Sequence, residues 1–155
     1  MSYNLEKLKQ ELIRDEGKRL TPYRDSLGSW TVGVGHLLLS NELMEFVDVV
    51  AGKPRKTLSE AECAAFLAGD IADAEARLTR LLPSWRCLDD VRKRALLNLT
   101  FNMGLRLGNF VAFLKYVEDE HWKLAAQELR KSRWWKQVAS RGPRIARMIE
   151  FGVTE

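Results

Sequence analysis

Ser59-Glu60-Ala61-Glu62 has the capping-box pattern, in which a hydroxyl and a carboxylate three residues apart satisfy each other's backbone N–H groups. From there Phe66, Leu67, Ile71, Ala74, Leu78 and Leu81 recur at helical spacing until Pro83 ends the run. A helix this long in a chain of 155 residues divides everything else into two groups, and it is predicted to link a small amino-terminal lobe to the rest. The length suits one compact domain, or two small lobes sharing a core, and is enough to fold without disulfide or metal staples.

Before the long helix the character changes twice. Leu5, Leu8 and Leu12 follow helical spacing, with Asn4 as a cap and Gly17 as a stop. Leu20–Arg24 and Ser29–Val34 then read as two strands joined by Asp25-Ser26-Leu27-Gly28. In the second strand Trp30, Val32 and Val34 alternate with Thr31, Gly33 and Gly35, so one face is bulky and the other nearly bare. A bare face suits either a ligand or close packing. Asn41–Val50 is predicted as a short helix, and Gly52-Lys53-Pro54 as a turn.

After Pro83 the pattern is helical throughout. Val91, Ala95, Leu96, Leu99 and Met103 form one stripe, broken by Gly104; Phe110, Phe113, Leu114 and Val117 form another. Leu124, Ala125 and Leu129 precede Trp134 and Trp135, and Ile145, Met148 and Ile149 form the last stripe. The predicted class is α+β, mostly α: helix, hairpin, long helix, helical bundle. Within a single domain spanning 1–155, the β-containing lobe is 17–58, the linking helix 59–82, and the helical lobe 1–16 with 83–155.

Composition narrows the functional classes. A net charge of +4 favours polyanions (nucleic acid, anionic lipid or the acid-decorated bacterial wall) without choosing among them. The excess lies late, from Lys123 to Arg147, where it reads as a solvated helical face. No nucleic-acid-reading motif accompanies it, so no nucleic-acid partner is expected. Two cysteines, Cys63 and Cys87, do not make a disulfide framework and read as buried free thiols. Two histidines complete no metal set, so neither metal nor other cofactor is expected. Met1–Gln10 has no apolar h-region and no run approaches a membrane span; neither a signal peptide nor stable membrane insertion is expected.

Glu16 falls at the last turn of the first helix, within a few tens of degrees of Leu5 and Leu12 around its axis. Partial desolvation and the negative helix end would both favour its protonated form, as a general acid requires. The alternative is a Glu16 turned out to solvent. Asp25, at the hairpin turn, is of a kind that usually caps its own backbone. Two carboxylates in different environments, with Thr31 on the bare face, are nevertheless what glycoside hydrolysis asks for.

Asp15-Glu16-Gly17-Lys18-Arg19-Leu20, then Tyr23-Arg24-Asp25, then Trp30-Thr31-Val32-Gly33-Val34-Gly35-His36, resembles the phage-type lysozymes (endolysins) of glycoside hydrolase family 24. Glu16, Asp25 and Thr31 fit that family's E-x(8)-D-x(5)-T signature. Glu60–Asp70 resembles the start of its interlobe helix, Phe101-Asn102-Met103-Gly104 its F-x-M-G segment, and Ser132-Arg133-Trp134 with Arg141 its carboxy-terminal motif. The resemblance implies a lysozyme-like fold and a muramidase that hydrolyses the β-1,4 bond between N-acetylmuramic acid and N-acetylglucosamine in bacterial peptidoglycan. By analogy Glu16 is the proton donor, while Asp25 and Thr31 hold the attacking water and give inversion.

The same resemblance assigns Gly35, Leu37, Phe101, Asn102, Phe110 and Arg141 to substrate binding, with Arg141 also a partner for Glu16. His36 is expected to be structural, paired with Asp70; Trp134 is expected buried, and Trp135 is left open. The implied partner is peptidoglycan. The implied protein is a monomer made in the host cytoplasm and released to the wall with a holin's help. Two other functions stay open on sequence alone: a lytic transglycosylase, which needs no positioned water, and a non-catalytic wall-binding or membrane-active basic protein.

Overall fold

The computed structural model describes residues 2–154. These fall into two compact units: Lys9–Asp70, and the residues up to Leu8 together with those from Ile71 onward. The boundaries lie inside two helices, α1 (Leu5–Glu16) and α3 (Glu60–Leu81).

The Lys9–Asp70 unit begins in α1. The Asn4 side chain accepts from the Lys7 N–H at 3.0 Å, which caps the helix start. Gly17, at φ +78°, ends it by donating to Ile13 O. Leu8 and Leu12 are fully buried, whereas Leu5 is 41% exposed, so the apolar stripe of this helix is shorter than its leucine spacing suggests.

Three antiparallel strands follow in the order β1 (Arg19–Arg24), β2 (Trp30–Gly33) and β3 (His36–Leu37). Tyr23 faces Thr31 and Arg24 faces Trp30, while Arg19 faces Gly33, so β1 carries extra residues between Arg19 and Tyr23. Pro22, which has no N–H for the ladder, sits in that irregular stretch. The third strand was not anticipated. Gly33 and Gly35 both adopt positive φ, which breaks the alternation expected through Val34 and turns the chain straight into β3. The small-residue face is closely packed: Thr31 is 4% exposed, and a Cβ on Gly33 would stand 3.4 Å from the Cys63 and Leu58 side chains.

The helix expected over Asn41–Val50 is shorter, α2 at Ser40–Phe46, and β4 (Val47–Asp48) then pairs with β5 (Lys53–Pro54). Asp48 makes this turn: its side chain accepts from Ala51 N–H and its carbonyl from Gly52 N–H, with Gly52 at φ +68°. Tertiary burial of Phe46 and Val47 overrides the helical apolar spacing. The capping box forms as expected: Ser59 N–H donates to Glu62 Oε1 at 2.9 Å and Glu62 N–H to Ser59 Oγ at 3.0 Å.

The other unit is built around α4 (Asp90–Met103), which is buried continuously from Lys93 to Thr100. A helix covered on all sides must satisfy its own charges. Arg94 donates to Asp90 Oδ2 at 3.0 Å and Lys93 Nζ to the Ser2 carbonyl at 3.2 Å. The unit also holds α5 (Val111–Glu118), α6 (Trp122–Lys131), α7 (Arg133–Gln137) and α8 (Arg141–Phe151), with α8 against α4 and α6, and α5 against α6. The cysteines behave differently from each other: Cys63 is buried, but Cys87 is exposed, because the short 3-10 turn Pro83–Cys87 buries Trp85 instead.

The last carbonyls of α8 are capped by Arg92. Arg92 donates to the carbonyls of Ile149 (2.7 Å) and Glu150 (2.9 Å) and to Asp89, and its guanidinium lies 4.3 Å from the Trp122 ring centroid. A cation on the last carbonyls of a helix satisfies both their hydrogen bonding and the helix dipole. Arg92→Ala is therefore expected to destabilise this unit by about 1.5–3 kcal/mol, measured as a lowered denaturant midpoint with an unchanged slope.

Candidate active site

Of the residues singled out from sequence, Glu16, Asp25, Thr31, Gly35, His36, Leu37 and Asp70 all belong to the Lys9–Asp70 unit. Glu16 is the last residue of α1, half-buried, and its carboxyl lies against the backbone of Gly35. A Cβ on Gly35 would stand 2.9 Å from Glu16 Cδ and Oε1. The glycine in the turn between β2 and β3 is thus also the residue that admits the acid.

Asp25 is fixed by its own turn. Oδ1 accepts from the N–H groups of Leu27 and Ser29, both at 2.9 Å, and Oδ2 takes no part in the turn. Gly28, at φ +84°, lets the hairpin close, donating to Asp25 O. The turn-capping role thus occupies Oδ1, and no hydrogen bond from the described residues reaches Oδ2. Thr31 Oγ1 donates to the Ser29 carbonyl at 3.1 Å, which directs its hydroxyl proton inward and leaves its lone pairs to accept.

Tyr23 ties the two carboxylates to one neighbourhood. It lies directly across the ladder from Thr31, so the two side chains share a face of the sheet. Burial pushes its hydroxyl pKa up; the charge of Glu16 adds to this, Arg19 opposes it, and Asp25 adds again. Sequence reading passed over Tyr23, although its position two residues before Asp25 was the available signal.

His36 sits beside the site as an anchor. Its Nδ1 is 2.7 Å from Asp70 Oδ2 and its Nε2 is 3.1 Å from Glu42 Oε1, while the ring stacks on Phe66 at 4.3 Å. It thereby joins β3 to α2 and α3. Glu42 lies on another element from His36, and no local pattern marks that pairing. The hydrogen bond to Asp70 is the main cause of a raised imidazole pKa, burial opposes it, and the charges of Asp70 and Glu42 reinforce it. For a group raised in this way, the stabilisation is fully present below its ordinary value of 6.5 and is lost as pH rises through the folded-state value. The stability gap between wild type and Asp70→Asn is expected to be widest below that value and to narrow above it. A gap constant across a denaturation series from pH 5 to 9 would remove the charge pairing.

Phe101, Asn102, Phe110 and Arg141 belong to the other unit. Asn102 Oδ1 accepts from Trp134 Nε1 at 2.7 Å, and Trp134 is 2% exposed; Trp135 is half-buried. Arg141 is buried and donates from Nε to Asn98 Oδ1 at 2.9 Å. Phe101 is half-buried, whereas Met103 is buried. Phe110 and Phe113 meet edge to face and line an open cavity of about 220 Å³ with Glu128, Lys131 and Ser132. Among the described residues, no group of three His, Cys, Asp or Glu side chains is placed to hold a metal ion, and no helix is long and apolar enough to cross a membrane.

A sequence model of the family described as phage lysozyme matches residues 14–148. Two proteins of Dictyostelium discoideum named probable T4-type lysozyme 1 and 2 are 30% and 31% identical to this chain, each over 94% of both chains. A SAR-endolysin of Enterobacteria phage P21 is 29% identical over 81% of this chain and 72% of its own.

Proposed function

This chain belongs to the phage lysozyme family, and we propose that it hydrolyses the β-1,4 bond between N-acetylmuramic acid and N-acetylglucosamine with Glu16 as general acid. Membership of that family makes it a glycoside hydrolase, a lysozyme acting on peptidoglycan. The observation that carries the finer reading is the contrast between its two carboxylates. Glu16 is packed against the Gly35 backbone at the end of a helix, whereas Asp25 is locked by two backbone N–H groups through one oxygen only. Carboxyl groups held in such different surroundings can take opposite proton roles.

In this mechanism Glu16 gives its proton to the glycosidic oxygen as the C1–O bond breaks and positive charge develops on the sugar. A water donates one hydrogen to Asp25 Oδ2 and the other to Thr31 Oγ1, which leaves a lone pair aimed at C1. As the new C–O bond forms, Asp25 takes the water's proton; Glu16 ends ionised, and exchange with solvent resets both groups. Attack from the face opposite the leaving oxygen inverts the anomeric centre. The Thr31–Ser29 hydrogen bond supports this division, because a hydroxyl already donating inward can only accept from the water.

The test is mass spectrometry of the muropeptides released from purified sacculi, with the anomeric configuration followed by NMR. Reducing muramic ends of inverted configuration support the reading. Anhydro-muramyl ends would assign the chain to the lytic transglycosylases instead, and release of nothing would leave a wall-binding protein. The same reading places the enzyme in the host cytoplasm until a holin opens its way to the wall. Fractionation of expressing cells with and without a holin tests that.

A further inference from the structure

Nearly every cation of the Lys9–Asp70 unit is occupied. Arg14 pairs with Asp15, Lys18 with Glu60 and Lys56 with Glu45; Arg24 donates to the Gly28 carbonyl and Arg55 to the Val47 carbonyl. Arg24 and Lys56 also lie over the Trp30 and Phe46 rings, but Arg19 is held by a ring alone. Its Cζ lies 4.2 Å from the centroid of the Tyr23 ring, and no carboxylate or carbonyl among the described residues takes its N–H groups. A guanidinium stacked on a ring uses its face, and its in-plane donors stay available at the edge. The ring holds it in place without neutralising it.

The place of this cation is also specific. Tyr23 shares Thr31's face of the sheet, and its hydroxyl feels the charges of Glu16, Arg19 and Asp25 together. The extra residues of β1 between Arg19 and Tyr23 allow the guanidinium to fold back over the ring. The carboxylate that activates water repels an acidic substrate, and a fixed cation in its neighbourhood offsets that repulsion. The N-acetylated sugars of peptidoglycan are neutral once the lactyl group is amide-linked, so its acids are those of the peptide stem.

We infer that Arg19, held on the Tyr23 ring, binds a carboxylate of the substrate's peptide stem beside the hydrolytic carboxylates. The fork of a guanidinium matches a carboxylate two-toothed. The inference rests on the reading of this chain as a peptidoglycan hydrolase and adds which part of the substrate that site recognises beyond the scissile sugars.

The experiment measures release of reducing muramic ends from native sacculi and from sacculi whose carboxylates have been converted to carboxamides with carbodiimide and ammonia. On native sacculi Arg19→Ala is expected to raise apparent KM roughly five-fold with kcat unchanged, and Arg19→Lys to recover part of the loss. On amidated sacculi the wild type and Arg19→Ala are expected to coincide. Lys53→Ala, which removes an equal charge from the exposed β5 strand of the same unit, should match the wild type on both. An Arg19→Ala defect of equal size on both substrates, or the same defect from Lys53→Ala, overturns the inference and leaves the hydrolase reading standing. Absence of reducing ends from the wild type on either substrate overturns the hydrolase reading itself.

Discussion

Glu16→Gln is expected to lower kcat by about 10²–10⁴-fold while leaving the fold and the affinity for sacculi in place. The amide is nearly isosteric with the carboxyl, so the packing against Gly35 that positions the side chain should survive. The variant loses only the transferable proton. Because that proton moves in the transition state, the loss should fall on kcat and kcat/KM together and leave binding to sacculi unaltered. Muropeptide release measured beside a thermal melt separates this outcome from simple unfolding. A Glu16→Gln protein that still releases reducing ends at the wild-type rate would exclude Glu16 as the acid and return attention to Asp25.

The second large effect is expected where no functional group changes. Gly35→Ala adds one methyl at φ +62°, a backbone conformation that costs a non-glycine residue about 1–2 kcal/mol. Strain is the smaller part of the effect. The new Cβ would sit 2.9 Å from two atoms of the Glu16 carboxyl, so the acid must move or the strand must yield. A displacement on the order of 1 Å at a reacting group can cost about 100-fold in rate. Gly52→Ala provides the control, since its φ of +68° imposes similar strain with nothing within 4 Å of the added carbon. Gly35→Ala is expected to lose about 100-fold in kcat and Gly52→Ala to lose stability alone. Equal activity in the two variants would show that the Glu16 contact does not govern catalysis.

Much of the fold was legible from the chain because local chemistry and global packing agree there. The capping box at Ser59, the Asn4 cap, the Gly17 stop and the Asp25–Gly28 turn are short-range devices, and each appears where its residues stand. Misplacements came where packing competes with local spacing. The Asn41–Val50 apolar run has helical periodicity throughout, but Asp48 closes a turn and Val47 is drawn into a strand. Strand alternation stops at Gly33 because two glycines at positive φ, Gly33 and Gly35, reverse the chain within three residues. Exposure of Cys87 depended on Trp85 filling the space beneath a short 3-10 turn, which no pattern in the sequence marks.

The sequence by itself determined the mostly helical α+β class, the one long capped helix and the family. Those properties follow from spacing along the chain. Only the tertiary structure decided that Gly35 admits the Glu16 carboxyl, that Asp25 keeps one oxygen out of its turn, and that His36 is held between two carboxylates rather than one. It also set the Arg19 guanidinium on Tyr23, with no carboxylate or carbonyl among the described residues taking its donors. These are matters of approach within a few ångströms between residues that lie distant in sequence or are separated by a bulge. Such distances are fixed by how the elements pack, and spacing along the chain carries no record of them.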